Sequence, residues 1–238
     1  MSKDFDDLTN GQTKAVIQKI GGPDAAMELL RGELIVQPKI VPVSDAANGG
    51  ITFAKPSVPD AKTFIEEMEA FYGEVYGHYL PKVKLPPVRE GFSWGLVMIH
   101  VPIETELAAM KAQFPIYRWT DENLDTIVSS VRSAVKKPYA VWFRDRVEAD
   151  TELASRSYND LVAAKANCIT LPERIRLERW FYWKTKKHLD PKSITLCGGS
   201  RSSVGSVPDV NWDGSGLYVN WFPPQVAFEL LRAREAVS

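Results

Sequence analysis

The stretch "LPERIRLERWFYWKTKKHLD", residues Leu171 to Asp190, reads as a basic helix whose inner side is marked by Ile175, Leu177, Trp180, Phe181 and Lys184. Trp180, Phe181, Tyr182 and Trp183 are consecutive, and at about 100° per residue they spread over more than half the circumference. One core cannot cover them all. Arg174, Arg176 and Arg179 precede the rings, and Lys184, Lys186, Lys187 and His188 follow them. Three readings stay open: packing between layers of one domain, a protein interface where Trp, Tyr and Arg are enriched, or a stacking and neutralising surface for single-stranded nucleic acid. The interface and nucleic-acid readings rest on Arg176, Arg179, Trp183, Lys186 and Lys187.

Downstream, "HLDPKSITLCGGSRSSVGSVPDVNW" (188–212) concentrates reactive residue types in a chain with few of them. Cys197 is a candidate nucleophile, with His188 or Asp190 as partner, because an arginine neighbour lowers a thiol pKa. Gly198, Gly199, Ser200 and Arg201 form a candidate anion cradle, since glycines free backbone amides to face a charge. The competing reading is a buried cysteine at a strand end followed by a long hairpin loop. No GxxxxGK[ST] or strand-linked GxGxxG occurs. "SITLC", "SVPDVNW" and "GLYVNW" read as strands, with Trp212, Tyr218 and Trp221 lining either a core or a groove. A closing helix is expected from Pro224 to Ala236.

Upstream, Phe64, Ile65, Met68, Phe71, Tyr72 and Val75 repeat at helical spacing, so a helix begins near Asp60 and stops at Gly77. "FSWGLVMIHVPI" is an apolar, central strand, and "YAVWFRDRVEAD" a half-buried one. A helix is expected over Glu104 to Ala112. A longer one should start at Thr120 and continue through Leu124, Ile127, Val128, Val131 and Val135. Residues 12–32 hold two short helical patterns split by Gly21-Gly22, and the proline-rich segment 34–59 reads as an edge strand or linker. The whole is expected to be α+β, a mixed or antiparallel sheet packed with four or more helices, with residues 1–33 as a helical appendage on a main domain of 34–238.

Composition narrows the function classes. The 238 residues carry 29 Lys and Arg against 30 Asp and Glu, so there is no overall field for a polyanion or an anionic membrane. Two cysteines exclude a disulfide-dense scaffold, and three dispersed histidines offer no zinc ligand set. No metal or cofactor is expected. No basic region precedes an apolar run near the start and no apolar stretch spans a bilayer, so a cytoplasmic protein is expected. The leading reading is a non-enzymatic binding or interaction protein working through helix 174–188 and the terminal hairpins, with a protein partner or a second copy. A small-molecule or nucleotide-processing enzyme using the 197–201 loop, and a nucleic-acid binder, are the alternatives.

"IGGPDAAMELLRGEL" near the beginning, with "HLDPKSITLCGGSR", "GSVPDVNW", "LYVNW" and "LLRAREAV" near the end, resembles hypothetical proteins of environmental and candidate-phylum bacteria. The resemblance covers about the first thirty and the last fifty-five residues. It implies a bacterial origin and transfers no catalytic residue.

Overall fold

The first long helix, α1 (Ala61–Tyr76), follows the apolar spacing: Phe64, Met68, Phe71 and Tyr72 are buried, Asp60 accepts a hydrogen bond from the Thr63 amide, and Gly77 ends it in the left-handed conformation. This computed structural model describes residues 60–238 and the backbone of two short paired strands, β1 (Ile35–Val36) and β2 (Phe53–Ala54). The chain divides into two compact units, residues 1–58 and 59–238. The helical patterns expected in 12–32, and the appendage of 1–33, lie outside the described residues.

Strands β3 (Phe92–Met98) and β6 (Tyr139–Arg144) pair antiparallel and share one core with α1. A side chain at Gly95 would collide with the rings of Trp142 and Phe64, so glycine is what lets these elements close up. Two expectations change here. Instead of being central, β3 belongs to a two-stranded sheet, and the chain end adds a bridge from Val237 to Trp142. Instead of being half-buried, β6 is buried from Ala140 through Phe143, because both of its faces are covered.

Between these strands lie α2 (Ile103–Lys111), β4 (Ile116–Arg118), α3 (Leu124–Ile127) and β5 (Val128–Ser130). The long helix expected from Thr120 therefore stops after about one turn. Its continuation pairs with β8 (Ser200–Ser202), an extended fate suited to a β-branched residue and two serines. Val131 and Val135, expected on the apolar stripe, are exposed.

A 3₁₀ turn (Thr151–Leu153) and α4 (Tyr158–Ala163) lead to α5 (Leu171–Thr185), the helix of the opening stretch. The strands β7 (Ile194–Leu196), β9 (Val207–Trp212), β10 (Leu217–Phe222) and β11 (Leu231–Ala233) form with β4 a five-stranded mixed sheet in the order β11-β7-β9-β10-β4. The pairs β10–β4 and β11–β7 are parallel, and β9 is antiparallel to both of its neighbours. This is an α+β fold. The closing helix expected from Pro224 is absent: that segment turns at Pro223 and adds β11 to the sheet edge. Pro223 and Pro224 both lack an amide hydrogen, which favours the turn.

Strand alternation divides the sheet into two faces. Val210, Trp212, Leu217, Val219 and Trp221 face α2 and α5, whereas Leu196, Val207, Phe222, Leu231 and Ala233 pack with Leu161 of α4 and with Phe228.

Candidate anion-binding cleft beside a buried arginine helix

Helix α5 starts with a reciprocal capping box: the Thr170 hydroxyl accepts from the Glu173 amide, and the Glu173 carboxylate accepts from the Thr170 amide. Pro172 occupies the first turn, where a missing amide hydrogen leaves no bond unmade. From Glu173 to Phe181 every residue of α5 is buried. The arginines of the opening stretch are therefore interior groups, and each must be matched by hydrogen bonds and charge.

On one side of α5, Arg174 bonds Glu178 at 2.8 Å and Asp190 at 3.0 Å, while Arg234 reaches the other Asp190 oxygen at 2.6 Å. Thr195 Oγ1 also donates to Asp190 at 2.5 Å. Burial alone would raise the Asp190 pKa, but Arg234 and Arg174 overcome it and hold this carboxyl below its usual range. His188 completes the cluster, its Nδ1 lying 2.9 Å from Glu178 and its ring stacked parallel on Trp212 at 3.4 Å. Two guanidinium groups meet two carboxylates, so this side is balanced.

The other side is not. Arg176 and Arg179 both donate to the carboxylate of Glu106 on α2, one to each oxygen, and Tyr76 donates to the same group at 2.7 Å. Arg176 also donates to Tyr72, whose hydroxyl donates to the Val97 carbonyl. Burial raises the Tyr72 and Tyr76 phenols above their ordinary range, so both stay neutral donors. Two guanidinium groups here share one carboxylate, and the Arg179 Nε has no partner among the described residues.

Next to this excess charge lies a cleft of about 310 Å³ between the end of β3, the β5 region and the start of α5. Arg176 and Glu106 line it, joined by Arg132, Tyr139, His100, Ser130, Ser133 and the apolar Ile103, Val128 and Ile175. Arg132 is paired through two bonds of 2.8 Å to Glu173, to which Tyr139 also donates at 2.8 Å. Asp125, the second carboxylate of the lining, accepts from the first amides of α2, Ile103 at 2.7 Å and Glu104 at 3.1 Å. It is thus engaged by a helix terminus that carries partial positive charge.

The residues singled out from sequence are distributed differently. Cys197 is fully buried, its sulfur reaches only the Thr195 carbonyl at 3.9 Å, and burial raises its pKa well above the ordinary value against the pull of Arg174. His188 bonds Glu178 and Asp190 bonds two arginines, so no bonded nucleophile–base pair forms among the three. The amides of Gly198, Gly199 and Ser200 donate to Leu196, Ile169 and Cys197 carbonyls, which leaves none to cradle an anion. Gly199 serves close packing, because a side chain there would meet the Cys168 carbonyl at 2.7 Å. Arg201 stacks on Tyr158 and donates to the Ser200 carbonyl at 2.8 Å, and burial lowers its pKa to about 10. Only Ser200 approaches the cleft: its hydroxyl accepts from the Leu171 amide at 2.8 Å and lies 2.7 Å from the Ser130 hydroxyl.

Of the residues expected on a basic surface, Arg176 is 2% exposed and Arg179 is buried with it. Trp183 is half-buried and donates to Glu74 at 2.8 Å. Lys186 and Lys187 are exposed, Lys186 as the left-handed helix cap over Tyr182. The cleft residues Glu106, Arg132, His100 and Tyr139 come from separate segments without a shared motif. The one local signal was Thr170 and Glu173 at capping-box spacing, which fixes the helix start at the cleft.

Among the described residues no three His, Cys, Asp or Glu side chains are grouped to hold a metal, and no helix is long and apolar enough to cross a membrane. What fold and site define is an α+β protein with a buried arginine helix beside a small cleft lined by both polar and apolar side chains. No family model, curated protein or solved structure matches the chain.

Proposed function

We propose that this is a cytoplasmic, non-enzymatic binding protein of bacterial origin whose cleft at Arg176 takes a small molecule carrying a carboxylate or phosphate group. The bacterial origin rests on the resemblance at the two ends of the chain. The observation that carries the binding reading is that two buried guanidinium groups share the Glu106 carboxylate at one wall of the cleft, while the other lining carboxylate, Asp125, is engaged by the first amides of α2. An unmatched buried charge is strongly unfavourable, and an anion in the cleft relieves it. Ser130, Ser133 and His100 supply polar contacts around that charge, and Ile103, Val128 and Ile175 supply apolar wall. The buried, protonated thiol of Cys197 favours binding over covalent catalysis.

Calorimetric titration with inorganic phosphate and with succinate at low salt tests this. Binding of either anion is expected, weakened roughly tenfold or more by R176Q, which removes the excess charge. S133E is the control for folding, because Ser133 is exposed and makes one bond, to the Val135 amide. It places a carboxylate at the cleft and should also abolish binding. Absence of binding by both anions at millimolar concentration, or full affinity in S133E, overturns the proposal.

A further inference from the structure

The cleft beside α5 offers a ligand one open cationic group, and much of its remaining wall is apolar. Arg176, 2% exposed, donates from Nε to Glu106 and from Nη1 to the Tyr72 hydroxyl. Its third nitrogen, Nη2, makes no bond to a described residue, yet it is not sealed from solvent as the unbonded Nε of Arg179 is. A buried guanidinium therefore presents a single unspent NH2 group to the cleft. The other lining arginine has none to give: Arg132 donates from Nε, Nη1 and Nη2 to Glu173, Asn167 and the Cys168 carbonyl.

The charges of the lining limit the anion that fits. Glu106 and Asp125 both border the cleft, so a ligand with two negative charges would hold the second one close to carboxylates that repel it. A phosphate monoester carries a charge of about −1.5 to −2 at neutral pH and three strong acceptor oxygens, more than one NH2 group satisfies. A carboxylate carries a single charge and asks for less.

The walls select the rest of the molecule. Ile99, Val101, Val128, Ala134 and Pro172 are half-buried in the lining, so each leaves part of an apolar side chain uncovered there. Val135, on the loop after β5, borders the same opening and is 65% exposed. Hydrocarbon laid against these groups leaves water, which favours binding in proportion to the area covered. The volume of about 310 Å³ is at the small end for ligand sites, so the hydrocarbon body is short.

We infer that the preferred ligand of this cleft is a monocarboxylate with a short hydrocarbon body, its carboxylate on Arg176 Nη2 and its chain against the wall that includes Val128 and Val135. The inference rests on the reading of the cleft as an anion site and narrows that reading to one class of anion.

The test is calorimetric titration of the full chain with acetate, butanoate and hexanoate at constant ionic strength, beside succinate, phosphate and the neutral hexan-1-ol. Affinity should rise roughly threefold for each methylene added. Hexanoate should bind roughly tenfold or more tightly than succinate, phosphate or hexan-1-ol. The double variant V128T/V135T exchanges a methyl for a hydroxyl at two wall positions and should weaken hexanoate roughly tenfold, leaving succinate within about twofold. Threonine suits the strand at 128, and circular dichroism checks that the variant is folded. V135T alone, at an exposed position, preserves the comparison if the double variant does not fold. R176Q should weaken hexanoate and succinate together. A flat series from acetate to hexanoate, or equal weakening of succinate and hexanoate in V128T/V135T, overturns the inference while R176Q-sensitive binding of succinate or phosphate leaves the anion reading standing. No binding of any carboxylate or of phosphate at millimolar concentration, or hexan-1-ol bound as tightly as hexanoate, overturns both.

Discussion

The two sides of α5 use the same residue types to opposite ends. Around Arg174, two guanidinium groups meet the carboxylates of Glu178 and Asp190, and Thr195, Ser193 and His188 complete the bonding. Around Arg176, two guanidinium groups meet one carboxylate, and a cleft opens beside them. The difference teaches that buried charge marks a candidate site only when its balance is incomplete. A closed network locks layers together, whereas an open one leaves attraction for something outside the chain.

The largest test of that contrast compares R174Q with R176Q. Removing Arg174 leaves Glu178 and Asp190 with too few cations, and a loss of about 3–5 kcal/mol is expected in urea unfolding. Removing Arg176 leaves Arg179 and Glu106 as a matched pair, so a smaller loss of roughly 1–2 kcal/mol is expected. Equal losses would break the comparison.

The next effect is pH-dependent. Asp209 holds its proton up to about pH 8 in the folded state, whereas in the unfolded chain it releases it near its ordinary value of 3.8. The folded state therefore binds more protons between these values. The stability tied to that proton is present below the unfolded pKa and is lost as pH rises through 8, with a slope of up to about 1.4 kcal/mol per pH unit. Asp190 acts in the opposite sense, its depressed pKa contributing stability that is lost only as pH falls through the folded value. Urea midpoints at several pH values should show D209N losing less stability than the wild type as pH rises from 5 to 8. Parallel curves would remove the buried carboxyl from the argument.

Two smaller effects refine the account of α5. T170A removes the cap that starts the helix beside the cleft and should lower stability by about 1 kcal/mol, leaving the Glu173–Arg132 pair in place. K184A breaks an exposed pair with Glu67 and should change stability by less than about 1 kcal/mol in the same measurement. A larger K184A effect would mean that the surface end of the helix matters as much as its buried end.

Much of the fold was legible where one signal acted alone. The stripe from Phe64 to Tyr72 gave α1, and the apolar runs gave β3, β7, β9 and β10 close to their observed bounds. Readings failed where a partner overrode local pattern. Val128 to Ser130 became a strand because β8 supplied a ladder, and Leu231 to Ala233 joined the sheet because β7 offered an open edge. The candidate site was scarcely legible, because Glu106, Arg132 and Arg176 are far apart in sequence and each looks like solvated charge when read locally.

By itself the sequence determined the helices and strands with strong period, the α+β class, and the fact that the rings of Trp180 to Trp183 need cover on more than one side. Only the tertiary structure decided that the arginines around them are interior. Periodicity reports which face of an element is apolar, but whether a charge is buried depends on carboxylates supplied from distant segments. Glu106 and Asp190 supply them here, so the basic helix, for which the sequence left both interior packing and a binding surface open, is enclosed on nearly every side.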